Sequence, residues 1–306
     1  MLNKHFKSIE EYLEFYGLKF ADTEHKFVPF KSNGFELAGQ VYIPKEYKAT
    51  VIFVHGYTGH CGLLSKIIKY LLENNYAVAA FDLLGHGLSS GKPLEIDDFS
   101  QYTNLLNDFL EIVKTQLHGP FHIIGHSTGC TIIMDYLIEQ NEDFFDKIIF
   151  AAPLVRCTLW NLAKIAYTIY SPLGLNIFRV IRTISSDKEF IKFLKYKDPL
   201  QAKSVPMNWV KAMFKWNEKI IRQNRHPERS EGSGHQKSEI LNKPILVIQG
   251  TNDKTVAWRY NLKFIQSKFS RAEIELIPNA RHELFNESAD LRKEVFSLIA
   301  DYLKSR

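Results

Sequence analysis

A serine flanked by glycines stands where a strand is expected to turn into a helix. The run Gly125-His126-Ser127-Thr128-Gly129 follows an apolar stretch and precedes a helical pattern. A sharp strand-to-helix turn leaves no space for a Cβ at Gly125 and Gly129, and it exposes the hydroxyl of the central serine. The N–H groups that begin the helix can stabilise negative charge. The run therefore predicts a nucleophile elbow of Gly125, His126 and Gly129 around a nucleophilic Ser127.

A serine hydroxyl is a weak nucleophile, so it needs a general base, and the base needs a group that orients it. Asp253 follows the apolar run 245–248, and His282 follows the run 274–277. Both residues are thus expected just beyond strand ends, where open α/β sheets assemble their sites. The order predicts a triad in which Asp253 fixes the tautomer of His282 and His282 accepts the proton of Ser127.

Acyl transfer also needs N–H groups that stabilise the oxyanion. The backbone N–H of Thr128, the residue after the nucleophile, is one candidate. The other is expected in the loop that follows the apolar run 51–54, which begins His55-Gly56-Tyr57. Gly56 allows the backbone to approach closely, and the N–H of Tyr57 is the second candidate donor. His55 and Gly56 are interpreted as shaping this oxyanion loop.

Other motifs give no support for a metal or an organic cofactor. His55, His60 and His86 match no ligand spacing that is typical of metal sites. The glycine-rich run 81–92 nearly matches a P-loop and a dinucleotide-binding motif, but it places His86 and Ser90 where those motifs need glycine. We interpret the run as a structural turn at a strand end, and we expect no metal and no cofactor.

Short apolar runs alternate with helical patterns along most of the chain. Strands are expected at residues 50–54, 76–83, 122–125, 147–155, 244–250 and 273–277, and helices at 63–74, 99–117, 131–139, 258–269 and 291–303. The strand runs are rich in Val, Ile and Phe and do not alternate with polar residues, as is typical of strands covered on both faces. This pattern predicts an α/β fold, a mostly parallel sheet flanked by helices. Residues 35–43 and 50–54 are expected to pair as an opening antiparallel hairpin.

The alternation breaks at residues 156–240, here called the inserted segment, which shows helical patterns but no convincing strand. We expect it to be a helical lid on an α/β core formed by residues 1–155 and 241–306. Within it, residues 222–238 are polar throughout and cannot bury enough apolar surface to offset their ordering entropy. They are expected to form a flexible surface loop.

One helix of the inserted segment has an apolar face. Trp209, Met213, Trp216 and Ile220 recur at spacings of four, three and four residues, which marks one side of a helix. Two interpretations stay open. The helix packs on the core and leaves a basic face in solvent, or it roofs an acyl-binding pocket and contacts an anionic membrane surface transiently.

Composition excludes several functional classes. The 306 residues are 45% hydrophobic and 24% charged, which excludes a wholly disordered chain. The net charge of +5, from 39 Lys and Arg against 34 Asp and Glu, is dispersed, so no nucleic-acid binding is expected. No signal-peptide core follows the N-terminus, and polar residues interrupt the apolar stretch 159–181. We expect a cytoplasmic protein, with a peripheral position at the inner face of a membrane as the alternative.

Taken together, these motifs make the sequence similar to the α/β-hydrolases of the monoglyceride lipase and lysophospholipase group, which are related to serine aminopeptidase-type hydrolases. The resemblance is carried by His55-Gly56-Tyr57, the run 82–91, the serine motif, Asn252-Asp253 and the run 282–287. It implies an eight-stranded sheet, a helical lid after the sixth strand, the triad of Ser127, His282 and Asp253, and no cofactor.

The expected function is hydrolysis of acyl esters such as monoacylglycerols or lysophospholipids, through an acyl-enzyme on the serine. The expected partner is thus a small-molecule acyl ester. A serine aminopeptidase-type hydrolase or a small-ester esterase is the alternative. A non-catalytic binding protein on the same fold is less favoured, because all three triad residue types are present. Haloalkane dehalogenases and epoxide hydrolases resemble this fold but use an aspartate where this chain has Ser127.

Overall fold

A computed structural model of the chain describes residues 5–139, 144–171, 177–178, 183–225 and 242–305. Its strands are β1 (Thr23–Ser32), β2 (Phe35–Pro44), β3 (Ala49–Val54), β4 (Tyr76–Phe81), β5 (Phe121–His126), β6 (Lys147–Ala151), β7 (Ile177–Phe178), β8 (Ser204–Val205), β9 (Ile245–Gly250) and β10 (Ala272–Ile277). Eight of them form one sheet in the order β1-β2-β4-β3-β5-β6-β9-β10, while β7 and β8 pair separately. From β4 to β10 all pairings in this sheet are parallel. The predicted eight-stranded, mostly parallel sheet is confirmed.

The predicted opening hairpin is wrong. Strand β2 pairs antiparallel with β1 on one side and with β4 on the other, so β4 separates it from β3. Strand β1 had no sequence signal, because its residues are mostly half-exposed and form no continuous apolar run. Strands β3 and β4 are buried along their whole length, which is why their runs were recognisable.

Helices cover both faces of the sheet. They are α1 (Ile9–Tyr16), α2 (Ser65–Glu73), α3 (Ser100–Gln116), α4 (Thr128–Glu139), α5 (Trp160–Tyr170), α6 (Lys188–Tyr196), α7 (Met207–Arg225), α8 (Trp258–Lys268) and α9 (Ala289–Lys304). Along β3, Ile52 and Val54 belong to one buried apolar cluster, and Val51 and Phe53 belong to the other. Because successive strand residues point to opposite faces, each face of the sheet has its own core. The predicted layers of helices are confirmed.

The inserted segment contributes α5, β7, α6, β8 and α7 between β6 and β9. Met213, Trp216 and Ile220 of α7 are buried, while its lysines at positions 211, 215 and 219 are exposed. Helix α5 and the residue before it instead expose a row of apolar side chains, with 56–62% of Leu159, Leu162, Ile165 and Ile169 accessible to solvent. Helix α7 therefore packs against the core, and α5 presents an apolar face outward.

The polar stretch 222–238 begins inside α7, because residues 222–225 are helical. The start of the predicted flexible loop is therefore wrong by four residues, and the remainder lies outside the described residues. Among the helices of the described ranges, none is both long enough and apolar enough to span a membrane.

Candidate active site

Ser127 lies at the turn between β5, which ends at His126, and α4, which begins at Thr128. Its φ of +51° falls in the left-handed region that residues with a side chain rarely adopt. A Cβ on Gly125 would lie 2.7 Å from the backbone N of Cys130, and one on Gly129 would lie 2.0 Å from the carbonyl O of Val54. Glycine is therefore required on both sides of the turn, as the motif predicted.

The structure brings the three predicted triad residues into one hydrogen-bonded chain. Asp253 follows the end of β9, and His282 follows the end of β10. His282 Nδ1 lies 2.8 Å from Asp253 Oδ2, and His282 Nε2 lies 3.0 Å from Ser127 Oγ. All three side chains are buried. With Nδ1–H donating to the carboxylate, Nε2 is left as the acceptor for the serine hydroxyl.

The carboxylate of Asp253 is fully hydrogen-bonded. Its Oδ1 accepts the N–H groups of Thr255 at 2.7 Å and Val256 at 3.3 Å. Its Oδ2 accepts Gln249 Nε2 at 3.2 Å in addition to His282. Burial raises the pKa of Asp253, but the imidazole and these donors outweigh burial, and the net pKa lies below the usual value. The carboxylate is therefore ionised at neutral pH, in a fixed orientation.

The pKa of His282, the candidate general base, shifts in the opposite direction. Burial lowers the pKa of His282, but the attraction and hydrogen bond of Asp253 outweigh it, so the net pKa lies above its ordinary value of 6.5. A pKa above 6.5 makes the imidazole a stronger proton acceptor. The Asp253 carboxylate thus both orients the ring and stabilises the imidazolium that proton transfer would form.

Two residues of β9 support the contact between Asp253 and His282. Neither residue was recognised from the sequence. Gln249 is fully buried and donates to Asp253, as described above. A Cβ on Gly250 would lie 2.4 Å from the carbonyl O of Ala280 and 2.5 Å from that of Arg281. Only glycine at position 250 allows the loop carrying the aspartate and the loop carrying the histidine to approach this closely.

The predicted oxyanion loop lies against Ser127. A Cβ on Gly56 would be 2.9 Å from His126 Nδ1 and 3.1 Å from Ser127 Cβ, which shows how closely the backbone approaches. His55 Nδ1–H donates to the carbonyl of Gly56 at 2.8 Å, and its Nε2 accepts the N–H of Leu83 at 3.0 Å. Burial lowers the pKa of His55 well below the ordinary value. His55 is thus a neutral structural anchor, as the sequence suggested.

The two candidate oxyanion donors lie in the expected elements. Thr128 is the first residue of α4, so its N–H has no acceptor within the helix. Tyr57 follows Gly56 directly, and its hydroxyl donates to the carbonyl of Leu94 at 3.0 Å. Its ring stacks on Trp209 of α7 with the centroids 3.7 Å apart. The inserted segment therefore contacts the oxyanion loop directly.

His126 has a contact that the sequence did not indicate. Its Nε2–H donates to the backbone carbonyl of His282 at 3.0 Å, and the two rings lie 5.0 Å apart. Burial lowers the pKa of His126, so the ring stays neutral and its donor role is stable. His126 thereby joins the turn that carries Ser127 to the loop that carries the candidate base.

A buried glutamate fixes the other end of the histidine loop. Glu287 Oε1 accepts the N–H of Arg281 at 2.6 Å, and Oε2 accepts the N–H of Ser186 at 2.7 Å. The carbonyl of Ile184 also accepts the N–H of Glu283 at 2.9 Å. The loop that follows His282 is therefore joined to the inserted segment by several hydrogen bonds.

The described part of the chain contains no group of three or more His, Cys, Asp or Glu that could hold a metal ion. The glycine-rich run 81–92 is a structural turn, as predicted. The carboxylate of Asp82 accepts the N–H groups of Cys61 at 2.7 Å and Leu88 at 2.8 Å. A Cβ on Gly87, whose φ is +53°, would clash with this carboxylate at 2.1 Å.

Both the sequence and the fold of this chain are similar to those of known proteins. The family model Hydrolase_4, described as serine aminopeptidase, S33, matches residues 45–289. A monoglyceride lipase of Saccharomyces cerevisiae is 26% identical over 277 residues, covering 85% of this chain and 84% of that protein. A monoglyceride lipase homolog of Monkeypox virus is 24% identical over 265 residues, covering 85% and 90%. The crystal structure of a soluble variant of the yeast lipase with a substrate analog has a TM-score of 0.77 at 20% identity, covering 94% of this chain and 97% of that one.

Proposed function

The chain belongs to the Hydrolase_4 family and is a serine hydrolase of the α/β-hydrolase fold, and on this premise we propose that Ser127, His282 and Asp253 are its catalytic triad. The observation that carries the proposal is the unbroken hydrogen-bonded chain from Ser127 Oγ through both nitrogens of His282 to Asp253, with contacts of 3.0 and 2.8 Å. His282 would supply the general base that the serine needs, and Asp253 would supply the group that orients this base.

In the proposed reaction Ser127 Oγ attacks the ester carbonyl while His282 Nε2 takes its proton. The N–H groups of Tyr57 and Thr128 stabilise the resulting oxyanion. Collapse of the tetrahedral intermediate breaks the bond to the alcohol, which leaves with the proton from His282. An acyl-enzyme remains, and a water that is deprotonated by His282 attacks it. The carboxylic acid is released, and Ser127 regains its proton.

For the substrate class we propose acyl esters such as monoacylglycerols or lysophospholipids. The yeast and viral relatives are named monoglyceride lipases, and the apolar row on α5 is suited to acyl chains or to a lipid surface. An aminopeptidase would instead need a carboxylate that binds the N-terminal ammonium group of its peptide substrate. The buried carboxylates Asp253, Glu287 and Asp198 around this region all have their donors within the chain. This favours an ester over an aminopeptidase substrate.

The roles of the remaining parts follow from the same proposal. Residues 156–240 would act as a lid on the core of residues 1–155 and 241–306, and substrate choice would depend on it. The exposed face of α5 would make a transient contact with the inner face of a membrane, from a cytoplasmic location. Helix α7, in contrast, would keep its position, because Trp216 Nε1 donates to the buried Asp135 at 2.9 Å.

The test is ester hydrolysis across an acyl-chain series from acetate to palmitate, with substrate below micelle formation. Wild type and Ser127→Ala are measured together. Because each buried methylene contributes about 0.8 kcal/mol, we expect kcat/KM to rise to a maximum at about eight carbons or more and to vanish in the variant. Activity confined to acetate would indicate a small-ester esterase, and hydrolysis of amino-acid anilides would indicate an aminopeptidase. Retention of more than about a tenth of the rate in the variant would overturn the assignment of Ser127.

A further inference from the structure

A buried carboxylate of the inserted segment reaches the oxyanion loop. Asp198 lies between α6 and β8, and its side chain is fully covered. Its Oδ2 accepts His60 Nε2 at 3.0 Å and Gln201 Nε2 at 2.7 Å. Its Oδ1 accepts the hydroxyl of Tyr16 at 2.7 Å and the N–H of Leu200 at 3.0 Å. Three separate parts of the chain, α1, the oxyanion loop and the inserted segment, thus meet at one carboxylate.

This carboxylate is charged although it is buried. Burial raises its pKa, but His60 and the hydrogen bonds from Tyr16 and Gln201 outweigh burial and lower the pKa of Asp198 to about 2. A buried charge keeps its energy low only while its donors stay in place. The position of His60 relative to Asp198 is therefore strongly restrained.

His60 is one end of a short loop whose other end is also fixed. At the first end, His55 accepts the N–H of Leu83, which follows the core strand β4. Between the two histidines the N–H of Gly59 donates to the carbonyl of Gly56 at 2.9 Å, and Thr58 has a φ of +68°. A non-glycine residue keeps such a conformation only where the surroundings impose it. A shift of His60 would therefore move the turn that carries Tyr57.

A second contact acts on the same loop from the same side. The ring of Tyr57 stacks on Trp209 of α7 with a centroid separation of 3.7 Å and an interplanar angle of 20°. The inserted segment therefore holds both the side chain of Tyr57 and the histidine that ends its loop. The core holds the same loop at its His55 end, through the bond from the Tyr57 hydroxyl to Leu94, and through the N–H of Cys61, which donates to Asp82.

We propose that Asp198 is a positioning residue for the oxyanion hole, acting through its hydrogen bond to His60 on the backbone N–H of Tyr57. The inserted segment then completes the catalytic site as well as covering it. This inference rests on the proposed serine mechanism. It predicts that the contact stabilises the transition state more than the bound substrate, because the oxyanion exists only after attack.

The contact is tested with His60→Met, which removes the donor, and His60→Gln, which keeps an N–H donor near the position of Nε2. Tyr16→Phe is the matched control, because it removes another hydrogen bond from the same carboxylate but leaves His60 in place. For each folded protein, kcat and KM are measured on a soluble short-chain ester. The Ki of a trifluoromethyl ketone is also measured, since its adduct with serine places an oxyanion in the hole.

For His60→Met we expect kcat to fall about tenfold and the ketone Ki to rise by a similar factor, with KM changed less than about twofold. His60→Gln should recover most of both losses, and Tyr16→Phe should lower thermal stability while leaving both values near wild type. If His60→Met does not fold, Asp198→Leu, which can accept no hydrogen bond from His60, takes its place with the same expectation.

Equal ketone affinity in wild type and His60→Met would overturn the inference, as would equal losses in His60→Met and Tyr16→Phe. The proposed function fails by a different result. In that case wild type would not bind the ketone, or Ser127→Ala would remain active.

Discussion

Replacing Asp253 with asparagine should leave His282 in the wrong tautomer. The N–H groups of Thr255 and Val256 both point at Oδ1, so the amide oxygen of Asp253→Asn must take that position. Its NH₂ group then occupies the place of Oδ2, opposite His282 Nδ1 at 2.8 Å. Two donors cannot face each other, so the imidazole must accept at Nδ1 and carry its proton on Nε2.

A proton on Nε2 faces Ser127 Oγ and cannot accept the hydroxyl proton. A triad with this tautomer error loses about 10⁴-fold in rate, which equals about 5.5 kcal/mol of transition-state stabilisation. The pH profile should change as well. The base must be neutral to act, so activity in wild type should rise with pH through a midpoint above 6.5, the direction in which Asp253 shifts the pKa of His282. Without the carboxylate, burial lowers the pKa of His282 and the weaker attraction of Glu283 opposes it, so the midpoint should move down.

The assay is kcat/KM on a soluble short-chain ester between about pH 5 and 9, a range that brackets the ordinary histidine pKa. Asp146→Asn is a matched control, because Asp146 lies 3.5 Å from Nδ1 of His122, at the opposite end of β5 from Ser127. The control should keep the wild-type rate and midpoint. Retention by Asp253→Asn of more than about a tenth of the wild-type rate, or an unchanged midpoint, would refute the reasoning.

Three further variants test other parts of the structure. Gly250→Ala should lower kcat/KM by about tenfold or more, measured on folded protein, because its Cβ would lie 2.4 Å from the carbonyl of Ala280 and separate the acid and base loops. Trp216→Phe should lower Tm by about 3 °C with little loss of activity, since a hydrogen bond to the buried Asp135 contributes about 2 kcal/mol; an unchanged Tm would contradict the anchoring of α7. Burial lowers the pKa of His122 from 6.5 to about 4. Protonation of this residue should therefore lower the free energy of unfolding of the wild type by about 3 kcal/mol as the pH falls from 6.5 to 4. Denaturant titrations of His122→Asn should show a smaller decrease.

The chemistry-bearing loops were the most predictable part of the chain. Ser127, Asp253 and His282 each follow a short run rich in Ile, Leu or Val, and the carboxyl ends of parallel strands converge at one edge of a sheet. The residues next to each of these side chains therefore indicated both its chemical role and its position in the fold. The glycines of the elbow were informative for the same reason, because the steric need that they meet arises within the turn itself.

The edge strand β1 and the strand order beside it were not predictable. Strand β1 carries Lys, Glu, Pro and His among its residues and has only two buried positions, so it lacks the apolar signature of an inner strand. Its absence from the prediction led to the wrong partner for β2. Strand order depends on which buried faces fit together, and this information is spread over the whole sheet.

Contacts between distant parts of the chain were equally hidden. His60 and Asp198 are separated by 138 positions, and Ser186 and Glu287 by 101. No periodicity or motif links such pairs, because each member looks like an ordinary polar residue in its own segment. Gln249 was overlooked for a similar reason, since a polar residue at a strand end gives no sign of the carboxylate that it will contact.

The central claim is that Ser127 is the nucleophile activated by His282, and active-site labelling tests it most directly. Intact protein is treated with a fluorophosphonate, and the modified residue is located by peptide mass mapping. The account predicts one label per chain, on Ser127, with no labelling of Ser127→Ala and much slower labelling of His282→Gln. A label on another residue, or full esterase activity in a chain whose Ser127 stays unmodified by the probe, would contradict it.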